Sequence, residues 1–280
     1  MAAKLVVMCI VFVIALMATG MIASVISGFI GNDTRESYLL QSVAQNIVGF
    51  FMAAVATAYY ISNHPWNFLG ISNKCGWRPF AGVLIVFLIG LPFMNQLIYY
   101  NANISLPESM AGLEKAMKAM EEANGKVGAT LLDTDSIWGL ITGILAVGVL
   151  TGFGEEVFFR GTLQRILTGN SRLGVWGVWI AALIFSAVHL QFYGFVPRVL
   201  LGAFFGYILY STGSLWPGVF AHALNNSIVV ATTWMQQRGH EMAAADSWGV
   251  VESGFPVMAA ISMVLLILFF VFGYRYFFRH

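Results

Sequence analysis

The chain has 280 residues, 59% of them hydrophobic and only 10% charged, and its mean hydropathy is +0.78. Soluble proteins carry about 25% charged residues, so lipid is the solvent for most of this chain. A net charge of +1 argues against a nucleic-acid partner, and the two cysteines, Cys9 in an apolar stretch and Cys75 in a polar loop, form neither a disulfide framework nor a metal-ligand spacing.

The first apolar run, from Lys4 to about Ile30, is much longer than the roughly 7–15 residues of a signal-peptide core, so an uncleaved membrane span is expected. The chain does not begin Met-Gly and ends Phe-Phe-Arg-His, so no lipidation box is visible. A ruler of about 20 apolar residues predicts helical spans at 5–30, 39–61, 80–100, 137–167, 173–191, 195–212, 216–235 and 256–277. The expected fold is all-α: one polytopic membrane domain over 1–280, about eight spans around a polar cavity, with the chemically distinctive residues inside 137–235. The sixth and seventh spans are divided only by Ser211–Pro217, where Gly213 and Pro217 break helix.

Charge supports that count. With eight spans, Lys4, Lys74, Arg78, Arg165, Arg172, Arg275 and Arg279 gather on the face of the N-terminus. Asp33, Glu36, Glu108, Glu114, Glu121, Glu122, Asp133, Asp135, Glu241, Asp246 and Glu252 gather on the other, whose cations are mainly Lys115, Lys118 and Lys126. Lys and Arg in short loops favour the cytoplasm, so both termini are expected there, and the short loops suggest a prokaryotic plasma membrane. The polar 102–136 loop places Met110, Leu113, Met117 and Met120 at helical spacing. It reads as a short amphipathic helix lying at the interface, or as a substrate lid. Gly139/Gly143, Gly148/Gly152 and Gly202/Gly206 are small residues four apart, which let helices approach closely.

Within the apolar stretch Leu150–Arg160 stand two adjacent carboxylates, Glu155 and Glu156. Each ionisable group in hydrocarbon costs about 2.5–3.5 kcal/mol on insertion scales and marks a functional site by default. Helical neighbours point about 100° apart, so the two cannot serve one point. Glu156 and Arg160 are four apart, acid before base, which predicts an ion pair. Glu155 is then free to face a cavity, where burial suits a carboxylate to general-base work. The alternative is that both glutamates bridge helices, with Arg165 or a histidine holding Glu155.

His189 lies near the end of the fifth span, and alone such a histidine is more often a packing residue than a catalyst. His222 and Asn226, four apart, project from one helix face, whereas Asn225 points elsewhere. His64, His240 and His280 lie in loops or at the terminus and have little claim. Glu155, His189 and His222 could bind zinc with an open position for water, although no His-Glu-x-x-His helix is present. A metal-free site serves equally: Glu155 takes a proton from water while His222 and Asn226 donate to the developing oxyanion. The metal-free arrangement is preferred, and no cofactor is expected. One difficulty stands: counted at about 1.5 Å per residue from the expected helix ends, Glu155, His189 and His222 fall at about 18, 25 and 9 Å depth.

Glu155-Glu156-x-x-x-Arg160, Phe185-x-x-x-His189 and His222-x-x-x-Asn226, in this order on three apolar segments, resemble the three motifs of the CAAX-protease and bacteriocin-processing family, intramembrane glutamate proteases related to the type II CAAX prenyl endopeptidases. The resemblance covers about 155–226 and the general topology. It implies a roughly eight-helix membrane fold and peptide-bond hydrolysis. Glu155 would activate water, His189 would assist, His222 and Asn226 would form the oxyanion hole, and Glu156 and Arg160 would support the site. The expected substrate is a peptide or lipidated peptide in the membrane, prenylated or not. The competing reading is a non-catalytic membrane protein for immunity or partner binding, since related sequences have been linked to bacteriocin self-immunity. A proton-coupled transporter would also bury such groups, but the repeats or paired broken helices usual there are not seen in the sequence.

Overall fold

The computed structural model describes residues 1–239 and 247–279. His240, Glu241, Asp246 and His280 therefore lie outside the described residues. Among those described, the chain is helical throughout with no strand. It opens with α1 (Ala2–Ile30), apolar on nearly every face, of which only Met8, Ala15 and Thr19 are buried. Such a helix finds its surroundings in lipid. The next helix, α2 (Arg35–Ile61), starts at Thr34, whose hydroxyl accepts the Ser37 N–H at 3.2 Å, with Glu36 in the positive first turn.

There follow α3 (Arg78–Ala102), α4 (Ala111–Leu132), α5 (Ile137–Thr168), α6 (Trp176–Ala187), α7 (Phe195–Thr212), α8 (Trp216–Gln237) and α9 (Val257–Phe278). The α7–α8 break falls where the sequence places it. Gly213 adopts φ 67°, returning its N–H to Leu209 O at 2.8 Å, and Pro217 lies in the first turn of α8.

Among the described residues, six helices are long and apolar enough to cross a bilayer: α1, α2, α3, α5, α7 with its preceding turn, and α9. All eight expected segments are helical, and two of them, α6 and α8, fall outside those six. The 12 residues of α6 reach about 18 Å, short of the roughly 30 Å hydrocarbon layer. The expected span at 173–191 included apolar turns at both ends, which hydropathy does not distinguish from helix. The other, α8, has 22 residues, but His222, Asn225, Asn226 and Ser227 make it too polar. The chain is thus an all-helical polytopic membrane protein, with His189 just after α6 and His222 and Asn226 on α8.

At the centre runs α5, packed against α2, α6, α7 and α8. It begins at Ser136, whose hydroxyl accepts the Gly139 N–H at 2.9 Å. Two π-helical stretches, Ile144–Leu150 and Glu156–Gln164, flank its Thr151–Glu155 segment. In each region a threonine hydroxyl donates five residues back, Thr151 to Ala146 O at 3.1 Å and Thr162 to Val157 O at 3.2 Å. Widened turns of this kind recur where a helix must re-aim functional side chains.

Two contacts set the helices around α5. A Cβ on Gly152 would stand 2.8 Å from the Ala223 nitrogen, so the backbones of α5 and α8 touch there. Against α7, Arg160 Nη2 donates to Gly202 O at 3.2 Å and Gln164 Nε2 to Gly206 O at 2.9 Å. Both pairs are offset by the same 42 residues, so α5 and α7 run parallel in a fixed register.

The helix α4 has 22 residues, none of them buried, and is longer than the short helix expected there. It lies against α2, α5, α8 and the turn before α7.

Candidate active site

The adjacent glutamates diverge. Glu156 is wholly buried, and its Oε1 lies 2.9 Å from Arg160 Nη1 and 2.9 Å from His222 Nδ1. The Arg160 contact is ionic and off hydrogen-bond linearity; its Nη2 is tied to Gly202 O. The guanidinium also lies 4.1 Å above the Phe185 ring. Arg160 is 1% exposed. Buried among a carboxylate, a carbonyl and an aromatic face, its charge is compensated on three sides. Glu156 Oε2 is buried without a hydrogen-bond partner, beside Gly218.

Glu155 points into a different space. Its Oε2 lies 3.7 Å from His222 Nε2 and 4.0 Å from His189 Nε2. The other nitrogen of each ring is committed: His222 Nδ1 to Glu156, and His189 Nδ1 to Phe185 O at 2.7 Å. These bonds orient the imidazoles, so that both Nε2 atoms face one carboxylate. His222 is further fixed by stacking on Phe205, centroids 5.3 Å apart, and His189 packs edge-on to Phe185 at 4.9 Å. The side chain of His189 is 27% exposed against 10% for Glu155, so the cluster is open on the His189 side.

The helix ends bring Glu155 and His189 to one depth. His189 lies 13 residues from the start of α6, and Glu155 lies 13 residues from the end of α5, each about 20 Å in. His222 is only six residues into α8, but the start of that helix is enclosed by protein: Ser214 and Leu215 are buried, and the Leu215 N–H donates to Gly70 O at 3.0 Å. The loop before α3 covers the start of α8.

Asn226 stands apart. It sits one turn beyond His222, and its Nδ2 donates to Val147 O at 3.3 Å while its Oδ1 accepts from Asn225 at 3.3 Å. Asn225 also lines a cavity of about 580 Å³ between α3, α7 and α9, whose other walls include Phe87, Leu91, Trp179, Phe204 and Phe270. That cavity is apolar and Glu155 is not among its walls, in contrast to the polar cavity expected at the centre. Among the described residues, no three His, Cys, Asp or Glu side chains are grouped so as to hold a metal ion. His64 lies at the start of the single turn Pro65–Phe68, and Cys9 and Cys75 are unpaired.

Several residues around the cluster escaped the sequence reading. Ser186 Oγ donates to Phe195 O at 2.8 Å, and Asn101 bridges Phe192 O and the Val196 N–H at 3.1 and 2.8 Å, so both pin the chain between α6 and α7. Leu190, directly after His189, adopts φ 54°, a left-handed conformation costing about 1–2 kcal/mol for a side-chain-bearing residue. On α2, Asn46 donates to Thr151 Oγ1 at 2.9 Å beside Gly154. Arg198 lies beside the His189 turn. An arginine inside an apolar span was the one signal available for it.

A polytopic helical membrane protein with a buried carboxylate facing two oriented imidazoles is the class of molecule defined so far. Residues 137–228 match the family model described as type II CAAX prenyl endopeptidase Rce1-like. That segment holds all three motifs, and its similarity is to the family that the motif resemblance implied. The match points to a membrane protease. No curated protein and no solved structure matches the chain.

Proposed function

We propose that the protein is an intramembrane endopeptidase in which Glu155 activates the water that attacks a peptide bond. The observation that carries this reading is the facing of Glu155 Oε2 by the Nε2 atoms of His222 and His189 at 3.7 and 4.0 Å, while Glu156 and Arg160 absorb each other's charge. Glu155 is left without an ion pair to arginine or lysine and within reach of a water molecule entering from the His189 side. The carboxylate takes the water proton, hydroxide attacks the carbonyl carbon, and the same carboxyl returns the proton to the leaving amine. His189 orients the water. His222, acting as an imidazolium with both ring N–H groups, gives Nδ1–H to Glu156 and donates Nε2–H to the oxyanion, and Asn226 adds a second donor by releasing Val147 O. Glu156 and Arg160 position His222 and touch no substrate.

The site is read as metal-free, with zinc on Glu155, His189 and His222 as the alternative. Substrates are peptides or lipidated peptides at the membrane, including prenylated CAAX-type C-termini, which the family description names. The membrane is read as a prokaryotic plasma membrane with both termini cytoplasmic. The second reading is a non-catalytic immunity or partner-binding protein; the exposed α4, laid across α2, α5 and α8, offers it a surface.

The test is cleavage of a fluorogenic peptide library, including a farnesylated CAAX peptide, by purified protein with and without chelator, alongside Glu155→Gln. Chelator-resistant cleavage lost in Glu155→Gln is the expected result. Chelator-sensitive cleavage moves the mechanism to zinc, and no cleavage by well-folded protein moves the function to partner binding.

A further inference from the structure

At the far end of α5 from its start at Ser136, Arg165 stands in the last turn, and its bonds go to backbone carbonyls alone. Nη2 donates to Gly213 O at 2.7 Å and Nη1 to Asn67 O at 3.4 Å. It is thus not the partner of Glu155, and among the described residues no carboxylate lies within 4.0 Å of it. A guanidinium has five N–H donors, more than these two bonds use. Capping the end of α7 does not require its charge either, because Asn73 Nδ2 also donates to Gly213 O at 2.7 Å. The Arg165 side chain lines a cavity of about 300 Å³ between the ends of α5 and α7, walled also by Gln164, Thr168, Tyr210, Leu209 and Phe68. Its walls are far more polar than those of the 580 Å³ cavity. Tyr210 is exposed, and its hydroxyl has no hydrogen-bond partner among the described residues.

Two further observations say what surrounds this cavity. Trp66, Trp77, Trp176 and Trp216 are all exposed, and they stand in the turn after α2, just before α3, and at the first residues of α6 and α8. Tryptophan gathers at the headgroup level of a bilayer. Trp66 neighbours Asn67, and Trp216 Nε1 donates to Ile71 O in the same loop at 2.9 Å, so the belt borders the cavity. The loops after α2, α5 and α7, at 62–77, 169–175 and 213–215, contain Lys74 and Arg172 and no Asp or Glu. A cation without a carboxylate partner, at headgroup depth and in an acid-free surface, matches a lipid phosphate.

We propose that this cavity binds the phosphate of an anionic membrane phospholipid. Arg165 is its charged partner, the Tyr210 hydroxyl is a neutral donor, and Phe68 and Leu209 give an apolar wall to the glycerol and first acyl carbons. The site is independent of the protease reading. It would clamp the ends of α5 and α7, whose register one turn deeper sets Arg160 against Gly202.

The experiment measures binding of a chain-labelled fluorescent phosphatidylglycerol to the purified full chain in neutral detergent, against phosphatidylcholine with the same chains. The anionic lipid is expected to bind about tenfold tighter, as a charge-assisted hydrogen bond provides. The preference should vanish in Arg165→Gln. It should vanish equally in Thr168→Phe, which fills the cavity and leaves the arginine's carbonyl bonds in place. Arg172→Gln removes an exposed cation that does not line the cavity and should keep the preference. Equal binding of the two lipids overturns the proposal. So does a preference that survives Arg165→Gln or Thr168→Phe, or one lost as fully in Arg172→Gln, which would mean diffuse surface charge. If Arg165→Gln fails to fold, Thr168→Phe decides. Inorganic phosphate that displaces the labelled lipid as effectively as unlabelled phosphatidylglycerol would assign the cavity to a soluble phosphate instead, against the proposal.

Discussion

His222 holds Glu156 with one ring nitrogen and faces Glu155 with the other: Nδ1 lies 2.9 Å from Glu156 Oε1 and Nε2 lies 3.7 Å from Glu155 Oε2. One imidazole therefore distinguishes two adjacent carboxylates, binding one and leaving the other to face the two Nε2 atoms.

The two glutamates should consequently fail in different ways. Glu155→Gln is expected to abolish cleavage while leaving the thermal unfolding midpoint in detergent near that of wild type, because Glu155 makes no ion pair with Arg or Lys whose loss would strand a charge. Glu156→Gln leaves Arg160 charged and buried, a change that costs about 3–5 kcal/mol, and should lower the midpoint sharply. Arg160→Ala should fall with it, since it strands Glu156 instead. Equal midpoints for Glu155→Gln and Glu156→Gln, or full yield and activity in Arg160→Ala, would remove the distinction.

The contact of α5 with α8 makes a second prediction. Gly152→Val pushes a side chain into the Ala223 backbone, from whose nitrogen an added Cβ alone would stand 2.8 Å. Overpacking of that kind costs about 1–3 kcal/mol, and relief by separating the helices would draw His222 away from Glu155. Activity should fall further than stability alone explains. Gly20→Val is the control, because its Cβ meets nothing within 4 Å. If both variants retain wild-type turnover, the close approach does not set the site.

How much of this was legible beforehand depended on the range of each interaction. The Glu156–Arg160 pair could be read because four-residue spacing on one helix brings side chains together. The His222–Glu156 contact spans 66 residues and exists only through the packing of α8 on α5, which no spacing rule encodes. The apolar ruler found every helical segment but not where each helix ends, since it measures hydropathy alone. Thus α6 stops at Ala187 although apolar residues continue. The depth conflict between Glu155 and His189 came from the same source.

On α4, a pH response is expected at a single contact. Glu114 lies 2.7 Å from Lys118 and accepts the Leu106 N–H at 3.2 Å. The hydrogen bond from Lys118 holds the Glu114 carboxyl below the usual carboxylate range, and the same bond raises the Lys118 ammonium. The carboxylate's contribution is complete above its ordinary value and is lost as pH falls through the lowered one. The ammonium's contribution is lost only as pH rises through its raised value. Across neutrality the contact should hold. Amide exchange at Leu106, corrected for its intrinsic pH dependence, should lose protection only on the acid side, and at a higher pH in Lys118→Ala. Uniform protection across that range in both proteins would show that the contact does not order the segment.

Asn226 poses the sharpest question about the site, because its amide is bonded to Val147 O at 3.3 Å rather than directed at Glu155. If it serves the oxyanion, the bond to Val147 must yield as the tetrahedral intermediate forms, and the transition state alone gains the donor. Asn226→Ala should then lower kcat by about 10²–10³-fold with KM nearly unchanged. Asn226→Asp, isosteric but with an acceptor in place of the donor, should be no better. If the residue only ties α8 to α5, Asn226→Ala should instead lower the unfolding midpoint, losing about 0.5–1.5 kcal/mol of hydrogen bonding, with kcat preserved in the folded fraction. Steady-state kinetics and thermal unfolding on the same preparations separate the two: a kcat loss without a stability loss places Asn226 in the oxyanion hole, and the reverse leaves His222 as the proposed donor.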